Sequence, residues 1–537
     1  MKRLFLLAIL FLLGLTQPYC IAQRKYDYLY KNLPFKMQKL VEPQFPHKTI
    51  SIINYGGVGD GKTLNTIAFS KAINTLSQQG GGTLLVPFGV WYTGPIELKS
   101  NINLHLEKGA IILFTCDLNA YPLVKAVFEG QDTYRCQSPI SGKNLTNIAI
   151  TGEGTINGSG QAWRPLKKGK VTEEFWNSVI GSGGVLANKD YWLPTAKIKK
   201  AEDLMKTKNF SINNLSNNQL DSIKDYFRPV MVNFVECRNV YLQGVLFENS
   251  PNWNIHPLMC ENLLIDNIYI KNPSYAQNGD GIDIESCKNV IMANSTVDAG
   301  DDAICLKSGK DEEGRLRAKP TENVIVDNCK VFKGHGGFVV GSEMSGGVRN
   351  VLVSNCTFMG TNAGLKFKSG RGRGGIVENI YIRNISMFDI VNESFVFDLY
   401  YGSKIEWTNS SDTLVQNKEE TLPPVTEKTP VFRNIYVENL ISRNANKAMF
   451  FNGLPEMNIH NIHIKNSNIS AHFGAELIES DGITFNNVEI TPKEGAALTL
   501  NNVKNFRMYD SVFPVGLKNP VEIKGKNSKN IHISDNK

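Results

Sequence analysis

Four clusters of chemically capable residues lie between Gln277 and Lys368. They are Asp280 and Asp283 in QNGDGIDIES, Asp301 and Asp302 in AGDDAICLKSG, His335 in KGHGGFVVGSEMSGG, and Lys366 with Lys368 in GLKFKSGRGRGG. An Asp-Asp pair alone is a common turn feature, because aspartate bonds nearby backbone. Gly300 before the pair allows the bend that two adjacent acids need to serve one cleft, since neighbours on a straight strand point apart. A third carboxylate, Asp280, lies about one structural repeat earlier. Carboxylates gathered this closely repel, which raises the proton affinity of at least one. Such a set can hold a protonated acid and an ionised base at the same pH. Hydrolysis of a glycosidic bond requires that pair. Asp283 reads as a corner residue.

His335 is flanked by Gly334 and Gly336. Glycines on both sides let another group approach the backbone closely, and the imidazole can bond Asp301 or Asp302. Lys366 and Lys368 share one strand face at a spacing of two. Two cations above a stack of acids fit an anionic substrate group such as a uronate carboxylate. Arg371 follows in a Gly-rich turn. Trp253 and His256 in SPNWNIHP sit one repeat before Asp280, where an aromatic can stack on a sugar. Arg228 in FRPVMVNF and Tyr400 with Tyr401 in FDLYYG are further candidates for substrate subsites.

These residues converge only if the chain coils. An Asn followed by an aliphatic or aromatic residue recurs at Asn239, Asn262, Asn289, Asn323, Asn350 and Asn379, every 23–34 residues, each time before a short strand such as VIVDNCKV. Asn147 precedes this series; Asn434, Asn461, Asn505 and Asn530 continue it. Repeats of this length mark a solenoid, and the reading is an all-β, right-handed parallel β-helix. Parallel coils stack about 4.8 Å apart, which brings the four clusters onto one patch. The anchor asparagines are expected to bond main chain at the corners. Lys48 to Tyr55 reads as a strand. Asn65 to Leu76, with Ile67, Ala68, Ala72, Ile73 and Leu76 on one face, reads as a short N-terminal helix capping the open end of the coil. GGVGDGKT lacks the spacing of a phosphate loop and reads as a turn. Two insertions, near 161–227 and 404–430, break the rhythm; the first is expected to wall the cleft.

A solenoid core grows in one dimension, so 537 residues fit one domain, 23–537. Hydrophobic residues at 42% and charged residues at 20% describe a folded chain rather than a disordered one. The net charge of +7 is spread without long basic runs, which argues against nucleic acid and is compatible with an anionic partner. Lys2 and Arg3 before an apolar run, with a small-residue site at Cys20-Ile21-Ala22, make 1–22 a candidate export signal, with a periplasmic or extracellular destination. Lipid anchoring at Cys20 ranks second, and no stretch is long enough for a membrane span. The cysteines near the anchors read as core thiols. No Cys/His spacing suggests zinc, and no cofactor is expected. Oligomeric state is not legible.

Taken together, Asn278-Gly279-Asp280, Asp301-Asp302, Gly334-His335-Gly336 and Lys366-Phe367-Lys368, in that order, resemble the motifs of glycoside hydrolase family 28, the polygalacturonases. The resemblance runs from about Ile50 to Asn530. It implies that Asp301 protonates the leaving oxygen and that Asp280 and Asp302 activate water, inverting the anomeric centre. His335 would support Asp301, Lys368 would grip the substrate carboxylate, and Asn278 and Lys366 would line the site. Gly279 stands where the family has Thr, and Lys366 where it has Arg. The second change loses a bidentate fork. GSEMSGGVRN and KSGRGRGG are similar to the bacterial exo-acting branch. The implied substrate is pectin, as polygalacturonan or rhamnogalacturonan-derived oligosaccharide. A rhamnogalacturonan hydrolase, a pectate-lyase-type eliminase and a non-catalytic glycan-binding or adhesion solenoid stay open as alternatives.

Overall fold

A computed structural model describes residues 25–207, 212–402 and 422–535. The candidate export signal and most of the second insertion lie outside them. The chain winds as a right-handed parallel β-helix in which each strand pairs in parallel with its counterpart one coil on. Six successive strands form the floor that carries the chemistry: β1 (Val232–Val235), β2 (Ile255–Leu258), β3 (Ile282–Glu285), β4 (Asp302–Lys307), β5 (Gly336–Gly341) and β6 (Leu365–Lys368). Alternation decides what faces where. Ile282, Ile284, Ile304, Leu306, Phe338, Val340, Leu365 and Phe367 point inward and are fully buried. The intervening residues form outward rows, with Asp283 beside Cys305, Glu285 beside Lys307, Val339 beside Lys366 and Gly341 beside Lys368.

The anchors hold the corners differently from expectation. Asn147, Asn239, Asn262, Asn289, Asn323 and Asn350 all adopt left-handed backbone. Each side-chain amide donates to the asparagine one coil before, at 2.9–3.1 Å, rather than to main chain. Asparagine is one of the few residues besides glycine that tolerates this backbone, and its amide carries both a donor and an acceptor. One residue type therefore satisfies the turn and the stack together. Cys237, Cys260, Cys287, Cys329 and Cys356 are buried free thiols inside the coils.

Two local expectations are corrected. Only Thr49–Ser51 is strand; Ile52–Tyr55 is a 3-10 turn ended by Gly56 in left-handed backbone. The capping helix spans Thr66–Gln78, but its buried face uses Phe69 while Ile67 is exposed. Ahead of the first strand the chain forms a strap: Tyr26, Leu29 and Leu40 cover the outward Tyr241, Leu264, Ile291 and Ile325. Among the described residues no helix is long and apolar enough to cross a membrane.

Candidate active site

Winding brings the acids together. One oxygen each from Asp280, Asp301 and Asp302 lies within 4.8 Å of the others. Asp280 precedes β3, and Asp302 opens β4 with 1% of its surface exposed. Asp301 stays partly open to solvent, and its Oδ1 stands 2.9 Å from His335 Nδ1. The two glycines around His335 have separate steric reasons. A Cβ on Gly334, whose φ is 108°, would meet the Asp301 carbonyl oxygen at 2.7 Å, close to where the His335 amide donates to that oxygen at 2.8 Å. A Cβ on Gly336 would collide with Val339 Cγ2 at 2.5 Å, and would stand 3.3 Å from Lys366 Cδ and 3.5 Å from Asp302 Oδ1.

The lysines reach down two coils. Lys368 Nζ donates to Asp302 Oδ2 at 2.6 Å, and Lys366 Nζ lies 3.6 Å from Oδ1. Burial alone would raise the Asp302 pKa, but Lys368, then Lys366 and Lys307, hold it well below the ordinary carboxylate range. Asp280 goes the other way: burial raises it, and repulsion from Asp283 and Asp301 adds to the rise. The site therefore contains one acid kept ionised and one pushed toward its protonated form, with a third bonded to an imidazole. That combination suits acid–base chemistry on a bond held between them. Three clustered carboxylates are also a possible cation site, yet two ammonium groups directed at Asp302 oppose a divalent ion there.

Several candidates have other partners. Trp253 and His256 are 2% and 0% exposed. The Trp253 ring lies 4.5 Å from Phe128, and His256 pairs with Glu285 at 2.9 Å. Both belong to the wall, and neither presents a face to a sugar. Arg228 donates to the carbonyls of Pro251 and Gln277 and to Asn278 Oδ1 at 2.9–3.1 Å, and burial lowers its pKa to about 10. Arg228 and Asn278 thus shape the loop that carries Asp280. Arg371 grips Glu456 through Nε and Nη2 at 2.6 and 2.9 Å and lies 5.1 Å from the Tyr400 ring, so its fork is occupied. Tyr401, 43% exposed, has Lys368 4.8 Å from its ring centre. Asp283 is no corner residue: it is mid-strand and fully buried, 3.6 Å from Lys307.

Lys307 and Glu343 carry charge into the site without having been singled out in AGDDAICLKSG and GSEMSGG. Lys307 alternates with Cys305 on the outward side of β4, which was the available signal. Lys170, from the first insertion, is also in the field of Asp301; burial lowers its pKa and that acid counters.

Two elements pack beside the N-terminal coils of the floor. The antiparallel hairpin Leu123–Phe128 and Gln131–Cys136 seats Phe128 on Trp253. Its Asp132 amide donates to Glu313 in the helix Asp311–Arg317 at 2.8 Å. Among its described residues the insertion has three α-helices, short 3-10 turns and a small sheet, and its Phe175 ring lies 5.2 Å from Tyr275, just before Asn278.

A family model described as glycosyl hydrolases family 28 matches residues 208–439. A probable polygalacturonase of Vitis vinifera is 30% identical over 436 residues, covering 79% of this chain and 74% of that protein. An exo-poly-alpha-D-galacturonosidase of Dickeya chrysanthemi is 29% identical over 367 residues, 66% of this chain and 58% of that enzyme. The crystal structure of an exopolygalacturonase from Thermotoga maritima superposes with a TM-score of 0.69 at 31% identity, covering 89% of this chain and 97% of that one.

Proposed function

Since the chain belongs to glycosyl hydrolases family 28, we propose that it cleaves α-linked galacturonic acid from pectin or its oligosaccharides, releasing it from a chain end. The observation that carries this reading is the meeting of Asp280, Asp301 and Asp302 under Lys366 and Lys368. Asp301, bonded to His335, is the group most open to a leaving oxygen and acts as the acid. Asp302, held ionised, acts as the base on a water that Asp280 beside it helps to hold. Lys368 and Lys366 offer ammonium groups to the uronate carboxylate.

Chain-end action draws support from the hairpin and insertion that pack beside the N-terminal coils of the floor, and from the Dickeya and Thermotoga relatives. An eliminase of the pectate-lyase type would need a divalent cation among the acids, where the two lysines stand. We infer export as well, because Met1 to Gln23 has the charge and apolar pattern of a leader.

The test is to incubate the enzyme with defined oligogalacturonides and rhamnogalacturonan fragments and identify the first products. Monomeric galacturonic acid alone is expected; a ladder of oligomers rejects the chain-end reading, and an ultraviolet-absorbing unsaturated product rejects hydrolysis. Turnover surviving undiminished in Asp302→Asn would remove Asp302 from the chemistry.

A further inference from the structure

A second cavity, of about 990 Å³, lies between the hairpin Leu123–Phe128 and Gln131–Cys136 and the ends of the strands Ile140–Lys143, β1 and β2. That volume falls in the roughly 300–1,000 Å³ range of small-ligand sites. None of Asp280, Asp301, Asp302, His335, Lys366 and Lys368 lines it. The acids stand at the opposite, N-terminal ends of β3 and β4. The hairpin that walls the cavity is fixed to the floor. Phe128 rests on Trp253, and the Gly130 carbonyl accepts from the Lys310 amide at 3.4 Å.

The lining carries four cations: Lys125, Arg135, Lys143 and Arg317. Among the described residues the exposed Lys125 and Lys143 make no hydrogen bond or ion pair. Arg135 lies 3.5 Å from the centre of the Phe128 ring, and its buried Nε has no hydrogen-bond partner. Its Nη1 reaches only the Arg228 carbonyl, at 3.5 Å. Burial, with repulsion from Arg228, lowers the Arg135 pKa to about 10, a cost that a bound anion relieves. Three acids also line the cavity. Asp132 faces Arg317 at 3.6 Å, and Glu236 faces Lys319 at 3.9 Å, which leaves Glu97. Positive charge without a partner therefore exceeds negative.

The floor of the cavity is polar as well. Ser141 and Asn233 are register neighbours on adjacent coils. Asn233 spends its amide nitrogen on His256 at 3.2 Å, which leaves its side-chain oxygen able to accept from a hydroxyl.

We infer that this cavity is a second saccharide site, binding a uronate-bearing oligosaccharide away from the catalytic acids. Lys125, Lys143 and Arg135 meet the carboxylates, and Ser141 and Asn233 meet the hydroxyls. The choice of uronate rests on the proposed substrate; the cavity and its excess charge do not. Such a site holds the enzyme on an acidic polysaccharide while the chain end is processed.

Hydrogen–deuterium exchange tests it on Asp302→Asn protein, which spares the probe, trigalacturonate, from cleavage. Added trigalacturonate is expected to protect 123–136 and 230–236. Combining Lys125→Glu with Lys143→Glu should weaken that protection at least tenfold in ligand concentration. Protection at 361–369 should remain. In the enzyme with native Asp302 the same pair should leave kcat on digalacturonate within twofold. Both lysines are exposed, so these changes spare the core.

Hairpin protection that is absent, or that survives the double change, overturns the inference. So does an equal loss in Lys71→Glu with Lys108→Glu, exposed lysines outside the cavity, because net charge alone would then explain it. Equal protection by the fully methyl-esterified trisaccharide rejects a uronate site, and equal protection by sulfate rejects a saccharide site. Should the native enzyme release no sugar, the hydrolase reading fails. The hairpin measurement, made without turnover, still decides the cavity.

Discussion

Lys368 Nζ and Asp302 Oδ2 are 2.6 Å apart although 66 residues separate them in the chain. The contact exists because β4, β5 and β6 stack in parallel and Lys368 reaches back along the floor to the start of β4. Both partners are almost fully buried, so the pair is weakly screened and each group depends on the other.

Replacing Lys368 by Met is therefore expected to leave a buried carboxylate short of its main cation, at a cost of about 3–5 kcal/mol. The native Asp302 pKa is depressed, so its contribution to stability is present above its unfolded value and is lost as pH falls through the folded one. The melting-temperature deficit of the variant should be largest near neutral pH and shrink below about pH 4. In kinetics, KM for oligogalacturonide should rise. Melting curves at several pH values check the first part; a deficit independent of pH contradicts it.

Asp280→Asn should show the reverse balance. The Asp280 pKa is raised, so ionising it costs stability above the folded pKa and costs nothing below the unfolded value, about 3.9. The variant should melt higher than the parent at neutral pH, converge with it in acid, and lose about 10²–10⁴-fold in turnover. Calorimetry with a sugar-release assay measures both.

Deleting 126–133 from the tip of the hairpin removes Phe128 from Trp253 and uncovers the floor of the N-terminal coils. Product analysis should then find oligogalacturonides longer than the monomer. A monomer-only product from a folded deletion variant would show that the hairpin does not set the mode of attack.

The asparagine ladder can be probed at Asn289, which is 3% exposed and bonded above and below at 3.1 Å. Asn289→Ala loses both bonds and places a Cβ-bearing residue without a compensating amide in left-handed backbone, for about 2–4 kcal/mol. Asn289→Gly keeps the backbone conformation without strain and should lose roughly half as much. Denaturant titration distinguishes them; equal losses would assign the whole effect to the hydrogen bonds.

One oxygen from each of the three acids lies within 4.8 Å of the others, whereas the carboxyl groups of inverting pairs usually stand roughly 6.5–9.5 Å apart and those of retaining pairs about 5–5.5 Å. Inversion is nonetheless expected, because the proposed reaction assigns Asp302 and Asp280 to a water, Asp302 is held by two lysines and Asp301 is bonded to His335. Proton NMR of the first anomer released decides: the β-anomer agrees, and the α-anomer would transfer the assignment to a covalent mechanism.

The recurring asparagines made the coil legible, and the coil made Asp280, Asp302 and Lys368 neighbours. Their periodicity survives because every turn has the same backbone problem to solve. What lies over an outward row was not legible. Trp253 and His256 looked like an open sugar platform until Phe128, from a hairpin more than a hundred residues earlier, covered Trp253. Asp283 was read as a corner because Asp favours turns, whereas Lys307 on the next coil stabilises it mid-strand. Arg371, in its Gly-rich turn, reads as a substrate-binding candidate, and Glu456 from a later corner occupies it.

The outward rows advance one coil at a time, so the floor has the character of a ruler with fixed divisions. Corner loops can lengthen, as the first insertion does between β-helix turns, without displacing any mark on it. Such an architecture lets the shape of the mouth, and hence which polysaccharide end is admitted, diversify while the bond-breaking groups keep their spacing.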